Sequence, residues 1–133
     1  LDLSWHKLTP GEAAAVEDAT SFEGDMLTGF GKPGEIETRY RSPYFAHIFA
    51  GGYSAGYYAY LWSEILDADG FTAFKESGNI YDPELAARLK ENIYQAGGLR
   101  DADVLYREFR GKDPSIGPLL EIRGLNLGLA GAE

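Results

Sequence analysis

The side chains best suited to chemistry in this chain lie between Tyr40 and Trp62, in the segment YRSPYFAHIFAGGYSAGYYAYLW. This segment holds six of the nine tyrosines, one of the two histidines and the adjacent pair Gly51-Gly52. Burying a phenol without a hydrogen-bond partner costs free energy, so a core segment would favour Leu, Ile and Val instead. Two neighbouring glycines permit a sharp turn or a close approach of a ligand to the backbone. The segment therefore predicts a polar, aromatic surface that faces a ligand.

The residue types in this segment indicate a ligand site but do not by themselves identify a reaction. A phenol donates a strong hydrogen bond and stays un-ionised near neutral pH, because its ordinary pKa is about 10. For His47 the alternative is a hydrogen-bonded core histidine, and His6, which follows Trp5, is interpreted as a packing or surface residue. The chain contains no His-Glu-x-x-His pair, no Gly-x-Ser-x-Gly elbow and no phosphate-binding Gly loop with a lysine.

Length and composition exclude several classes of function. The 133 residues suit a single domain, residues 1–133, with a modest core. The absence of cysteine excludes disulfides and thiolate metal sites, and two histidines make a complete metal site in this chain unexpected. A net charge of -9 with only 12 Lys and Arg residues argues against nucleic acid as a partner. With no signal-like start and no apolar run of membrane-spanning length, we predict a cytoplasmic protein without a membrane partner.

Apolar residues recur at spacings of three and four along most of the chain, which predicts an all-α fold. Thr9, Pro10 and Glu12 have the spacing of a capping box with proline at the first helical position. The predicted helices cover approximately residues 10–29, 54–76, 82–96, 101–109 and 115–123. Residues 30–42 are expected to form a loop, and residues 126–133 a frayed tail.

Two runs of the sequence resemble a known family. The run SPYFAHIFAGGYSAGYYAYLWSEILDADGF is similar to the Gly-rich loop and following helix of the thimet oligopeptidase family of zinc peptidases. The resemblance is closer to the peptidyl-dipeptidase branch (the dipeptidyl carboxypeptidases), where two extra residues, here Ile48-Phe49, separate a His from Ala-Gly-Gly-Tyr. The run NIYQAGGLRDADVLYREFRGKDPSIGPLLEIRGL resembles the C-terminal end of the same family. The resemblance extends over essentially the whole chain, with a less distinctive match in residues 1–40.

The resemblance implies that this chain is one part of a larger enzyme. Members of the family are several hundred residues long and hold zinc with His-Glu-x-x-His and a later Glu, both upstream of the part represented here. The chain is therefore expected to be a helical C-terminal subdomain, a fragment that is inactive alone and binds no metal itself. Its expected partners are an oligopeptide substrate and the remainder of the parent enzyme, in which residues outside this chain bind zinc.

The resemblance also implies roles for individual residues. Tyr60 takes the role of a catalytic donor to the oxyanion, and His47 supports the same charge or hydrogen-bonds the substrate backbone. The implied substrate-binding residues are Tyr53, Tyr57, Gly51 and Gly52, of which the glycines supply the turn that lets the loop close over the peptide.

A helix that starts near residue 54 would divide these tyrosines between two faces. Tyr53, Tyr57 and Tyr60 would share one face, at i, i+4 and i+7, although Tyr53 could also lie in the preceding loop. Tyr58 and Trp62 would lie on another face and are interpreted as core residues.

The function predicted from these observations is hydrolysis of oligopeptides with release of C-terminal dipeptides. The alternative from a different class is a non-catalytic peptide-binding or interaction module that uses the same aromatic surface, and a purely structural helical domain is a third. The sequence leaves open endo- or exo-type cleavage and peptide preference. It also leaves open whether Arg110 and Lys112 bind a substrate carboxylate or form an ordinary solvated turn.

Overall fold

The computed structural model describes residues 1–125, and all the regular secondary structure in that range is helical. The prediction of an all-α fold is confirmed. The predicted frayed tail, residues 126–133, lies outside the described residues.

The chain divides into two compact units, Leu1–Ala59 and Tyr60–Glu133. The helices of the first unit are α1 (Asp2–His6), α2 (Pro10–Ala14), α3 (Ala19–Gly29), a 3₁₀ turn (Ser42–Tyr44) and α4 (Ala46–Phe49). Those of the second unit, with α5 beginning at the boundary, are α5 (Ala59–Glu76), α6 (Pro83–Leu89), a π-helix (Lys90–Gln95), α7 (Ala102–Arg110) and α8 (Gly117–Ile122). The expectation of one domain over residues 1–133 stays a prediction.

The predicted capping box at the start of α2 is confirmed. Thr9 Oγ1 accepts the Glu12 N–H at 3.3 Å, and Glu12 Oε2 accepts the Thr9 N–H at 2.8 Å. Pro10 is the first helical residue, where its missing N–H costs nothing. The start of this helix follows from local sequence alone.

The prediction of one continuous helix over residues 10–29 is wrong, because a second cap divides it. α2 ends at Ala14, and the Asp18 carboxylate accepts the N–H groups of Thr20 and Ser21 at 3.2 and 3.4 Å. An aspartate that bonds these amides stabilises a new helix N-terminus. α3 therefore begins at Ala19 as a separate helix.

α5 ends at Glu76 as expected but begins at Ala59, later than the predicted residue 54. Ala55 has a left-handed backbone with φ of +56°, which no right-handed helix accommodates. Residues 51–58 consequently form an irregular loop, and the predicted helical face of Tyr53, Tyr57 and Tyr60 is wrong.

The core of the second unit gathers on the C-terminal half of α5. Its buried members are Ala73, Leu85, Tyr106 and Phe109, with Leu66, Phe74, Leu89 and Ile93 partly buried against them. A Cβ at Gly70 would lie 3.4 Å from Phe109 Cε1, so this glycine lets α7 approach α5 closely. Gly70 weakens α5 as an isolated helix but favours this packing.

The interpretation of Tyr58 and Trp62 as core residues is wrong for the described residues. Tyr58 is 61% exposed and Trp62 is 57% exposed. Tyr58 lies in the loop before α5, and Trp62 lies in the first two turns of α5, before the core begins at Leu66.

Candidate functional site

Three of the predicted site residues meet in the first unit. The His47 ring, exposed on α4, lies 4.8 Å from the Tyr53 ring and 5.2 Å from the Tyr57 ring, edge to face in both cases. Such T-shaped contacts are a favoured geometry for aromatic pairs. The structure therefore brings these three predicted site residues together. They meet because the loop that carries Tyr53 and Tyr57 packs against α4, and not because they share a helix face.

Two further rings, which the sequence interpretation gave no individual role, extend this arrangement. Phe45 lies 5.0 Å from Tyr57, edge to face, and stacks on Tyr40 at 5.1 Å. We call Tyr40, Phe45, Tyr57, His47 and Tyr53 the aromatic series, since each ring contacts the next. Tyr40 and Phe45 flank the 3₁₀ turn in the same Tyr-rich segment, so the aromatic content of that segment was the available signal.

The loop that carries Tyr53 and Tyr57 is attached to α1 by a buried carboxylate. Asp2, 8% exposed, accepts the Ala55 N–H through Oδ1 and the Tyr57 N–H through Oδ2, both at 2.9 Å. No local sequence signal could identify this residue, because 53 and 55 positions separate it from its partners.

The two glycines of the predicted turn differ in conformation. Gly51 has φ of +89°, in the left-handed region that favours glycine. Gly52 has no such φ, and a Cβ built on it would meet nothing within 4 Å. The turn therefore requires glycine at position 51 and not at position 52, while the substrate-binding role of both stays a prediction.

A second buried carboxylate orders the chain before the aromatic series. Glu23, 2% exposed, accepts the Ser42 N–H at 2.6 Å and the Thr38 hydroxyl at 2.7 Å, and it pairs with Arg41 Nε at 2.8 Å. Burial alone would raise the pKa of Glu23, but these hydrogen bonds and the Arg41 charge lower it. The loop between α3 and the 3₁₀ turn is thus held by a charged internal partner.

Tyr60, the predicted oxyanion donor, belongs to the second unit. It is the second residue of α5, and its side chain is 47% exposed. The helix fixes the backbone at Tyr60, and its phenol is accessible to a ligand. Its catalytic assignment stays a prediction.

Arg110 fits neither of the two roles considered for it. It is 9% exposed, and its Nε donates to Asp69 Oδ2 at 3.1 Å while its other nitrogens donate to Glu76 at 2.7 and 3.0 Å. The hydrogen bonds that Arg110 donates to Glu76 hold the pKa of Arg110 above its usual value, although burial opposes this. Arg110 therefore joins α7 to α5 as an internal ion pair, and Lys112, 3.4 Å from Glu76, extends that pair at the surface.

The second unit also contains an apolar groove of about 860 Å³. Its side chains come from α5, the end of α6 with the π-helix, and α7, and they include Trp62, Phe71, Phe74, Leu89 and Ile93. The π-helix contributes Asn92, Ile93 and Tyr94. Sequence reasoning missed this groove, because the exposed Trp62 in its lining was interpreted as core.

The described residues do not fit a zinc site. Within residues 1–125 no group of three or more His, Cys, Asp or Glu side chains is placed so that it could hold a metal ion. In the same range no helix is long and apolar enough to cross a membrane.

The helical fold and the tyrosine-rich loop agree with a match to a peptidase family. The model of peptidase family M3 matches residues 1–125, which is nearly the whole chain. The chain belongs to peptidase family M3.

The chain is also similar to individual peptidases over most of its length. The chain is 46% identical over 128 residues to the dipeptidyl carboxypeptidase of Escherichia coli K12, a match that covers 96% of this chain and 18% of that protein. It is 42% identical over 128 residues to the Salmonella typhimurium LT2 dipeptidyl carboxypeptidase, covering 95% and 18%. It is 44% identical over 81 residues to E. coli oligopeptidase A, covering 61% and 12%. The chain thus spans less than a fifth of the length of these relatives.

Proposed function

We propose that this chain is the C-terminal, substrate-binding and transition-state-stabilising part of a zinc metallopeptidase that hydrolyses oligopeptides and releases C-terminal dipeptides. The observation that carries the proposal is the contact of His47 with Tyr53 and Tyr57, in a chain similar to dipeptidyl carboxypeptidases over nearly all its length. Similarity to oligopeptidase A covers less of the chain, which favours the dipeptidyl carboxypeptidase type.

The aromatic series suits a peptide ligand for physical reasons. A peptide presents backbone carbonyls and N–H groups together with side chains of mixed polarity. Tyrosine offers both a hydroxyl that hydrogen-bonds and a ring that makes apolar contact, and Tyr53 is 40% exposed. Because each ring of the series contacts its neighbours, less side-chain freedom remains to be lost when a peptide binds.

The proposed role of Tyr60 follows from the charge that develops in the reaction. As the scissile carbonyl is attacked, its oxygen becomes negative, and a neutral donor already aimed at that oxygen lowers the barrier. A phenol remains protonated at neutral pH and can supply this hydrogen bond. His47 is proposed to support the same charge or to hydrogen-bond the substrate backbone.

Zinc has no site in the described part of this chain, so we derive no catalytic step from a metal bound to it. We propose that the metal and its ligands belong to the remainder of the parent enzyme. The partial coverage of the relatives supports this. The apolar surface around Trp62 and the groove supports only the presence of a further polypeptide segment that covers it. The cytoplasmic location stays a prediction from the sequence.

Three tyrosine-to-phenylalanine variants of the complete enzyme test the proposal. Tyr60→Phe removes one hydroxyl and almost no volume, and kcat should fall roughly 10²–10³-fold with little change in KM. Tyr53→Phe should act mainly on KM. Tyr58→Phe is the matched control, since it makes the same change two residues before Tyr60 and should alter neither constant. Melting temperatures of all three variants exclude simple destabilisation.

The opposite pattern would refute these assignments. Loss of activity in Tyr58→Phe with a fully active Tyr60→Phe would show that the wrong tyrosine was chosen. An unchanged kcat in Tyr60→Phe, together with weaker peptide binding in Tyr53→Phe, would favour the non-catalytic peptide-binding module.

A further inference from the structure

Asp2 makes contacts that the proposed reaction does not use. Each of its carboxylate oxygens accepts a backbone N–H from the tyrosine loop, one from Ala55 and one from Tyr57, at 2.9 Å. Oδ1 also lies 2.9 Å from His6 Nδ1, within α1. Hydrogen bonds to a charged acceptor are stronger than neutral ones, and the low exposure of Asp2 limits competition from water.

The helix that carries Asp2 is itself attached to the rest of the first unit. Trp5 packs its ring 4.1 Å from the Phe22 ring of α3 and donates its Nε1–H to Ser42 Oγ at 2.9 Å. Its ring also lies 6.1 Å from Phe49, at the end of α4. The Asp2 carboxylate is therefore presented by a short helix with contacts to α3, the 3₁₀ turn and α4.

The loop needs such an attachment because it is irregular and contains an unfavourable backbone conformation. Ala55 has φ of +56°, which a residue with a Cβ adopts only at a cost. Conformations of this kind persist where surrounding contacts outweigh that cost. Within the loop, the Gly56 N–H donates to the Tyr53 carbonyl at 2.9 Å, which closes a local turn without connecting it to the rest of the unit.

We propose that Asp2 is a positioning residue that holds the tyrosine loop, and with it the Tyr53 and Tyr57 rings, against His47 for peptide binding. The link to peptide binding rests on the proposed function. The Tyr57 N–H bonded to Asp2 belongs to the same residue whose ring contacts both His47 and Phe45. Release of that N–H frees the backbone on which the ring position depends.

Hydrogen–deuterium exchange of the complete enzyme tests the attachment directly. Asp2→Asn replaces one acceptor oxygen by an NH₂ group that faces a backbone N–H, and Asp2→Ala removes both acceptors. Exchange in the peptide covering residues 53–58 should accelerate roughly 10- to 100-fold in both variants. Asp25→Asn is the matched control, the same change at an exposed carboxylate of the same unit, and it should leave that peptide unchanged.

Kinetics of the same variants test the functional part. Asp2→Asn should raise KM roughly 10-fold with a smaller change in kcat, and Asp2→Glu, which keeps the carboxylate, should recover part of the loss. Unchanged exchange in residues 53–58 would overturn the proposal. Equal acceleration in residues 19–29 would also overturn it, because Asp2 would then support the whole unit and not the loop.

One comparison separates this proposal from the proposed function. Suppose that Asp2→Asn accelerates exchange in the loop but leaves KM unchanged, while Tyr53→Phe raises KM. This result would overturn the positioning role of Asp2. If Tyr53→Phe and Tyr60→Phe also leave both constants unchanged, the proposed function fails, and the accelerated exchange supports the attachment of the loop by itself.

Discussion

Removal of the Tyr106 hydroxyl should destabilise the second unit more than its small size suggests. This hydroxyl donates to Asp69 Oδ2 at 2.7 Å and lies 3.2 Å from the Leu66 carbonyl. Tyr106 is 8% exposed and Asp69 is 1% exposed, so water cannot easily replace the lost donor. Tyr106→Phe leaves the Asp69 carboxylate with its bond from Arg110 and a 3.5 Å contact to Ser115.

The magnitude follows from the type of hydrogen bond. A buried hydrogen bond to a charged acceptor contributes about 1.5–3 kcal/mol to the free energy of unfolding. For a unit of this size each kcal/mol corresponds to a change in Tm of roughly 4–8 °C. Urea denaturation of the 133-residue chain, with helix content followed by circular dichroism, measures the difference.

The effect should also depend on pH in a defined direction. Burial raises the pKa of the Tyr106 phenol, and its hydrogen bond to the negatively charged Asp69 raises it further. A group whose pKa is higher in the folded state contributes fully below its unfolded pKa, about 10 for tyrosine, and loses that contribution as the pH rises further. The stability difference between wild type and Tyr106→Phe should therefore be constant near neutral pH and shrink above pH ~10.

The control for this prediction is Tyr81→Phe, the same change at a side chain that is 84% exposed. It should alter the free energy of unfolding by less than about 0.5 kcal/mol. Equal stabilities of Tyr106→Phe and Tyr81→Phe at neutral pH would refute the argument that the Asp69 hydrogen bond stabilises the unit.

Two further predictions concern the first unit and the metal. Glu23→Gln should lower the free energy of unfolding by about 1–3 kcal/mol, because an NH₂ group would replace an oxygen that accepts from Ser42. The control is Glu35→Gln at an exposed side chain, which should leave the free energy of unfolding unchanged. Since the pKa of Glu23 is lowered in the folded state, its contribution should be present above the ordinary value of 4.5 and be lost as the pH falls below it. The isolated chain should bind no zinc with sub-micromolar affinity and should show no peptidase activity, since His6 and His47 cannot complete a three-ligand site. Zinc binding that is measured by calorimetry and abolished by His47→Ala would contradict this prediction.

Several helix ends whose determining contacts are close in sequence were predicted correctly, although the Asp18 cap, which is equally local, was not. The capping box of Thr9 and Glu12 lies within four residues, and the Asp82 carboxylate accepts N–H groups two and three positions later. Gly97 and Gly111 adopt left-handed conformations where helical segments end. In each case one residue type satisfies a backbone need that its immediate neighbours create.

The start of α5 was mispredicted because its cause is not local. The apolar spacing after residue 54 is compatible with a helix, but Asp2 takes the Ala55 and Tyr57 N–H groups from more than fifty residues away. The same reasoning applies to Arg110. Its sequence neighbourhood resembles a surface turn, whereas its partners Asp69 and Glu76 come from α5.

The sequence by itself determined the helical class, because that class follows from the short-range spacing of apolar residues, and its resemblance to known peptidases indicated the family and pointed to His47, Tyr53 and Tyr57. Only the tertiary structure decided how those residues are held. It showed that the loop is attached by Asp2 and that an apolar groove lies in the second unit. It also showed that Glu23 and Arg110 are buried in charged internal contacts. These features depend on pairs of residues distant in the chain, and a carboxylate or guanidinium carries no local mark of the partner that it will meet.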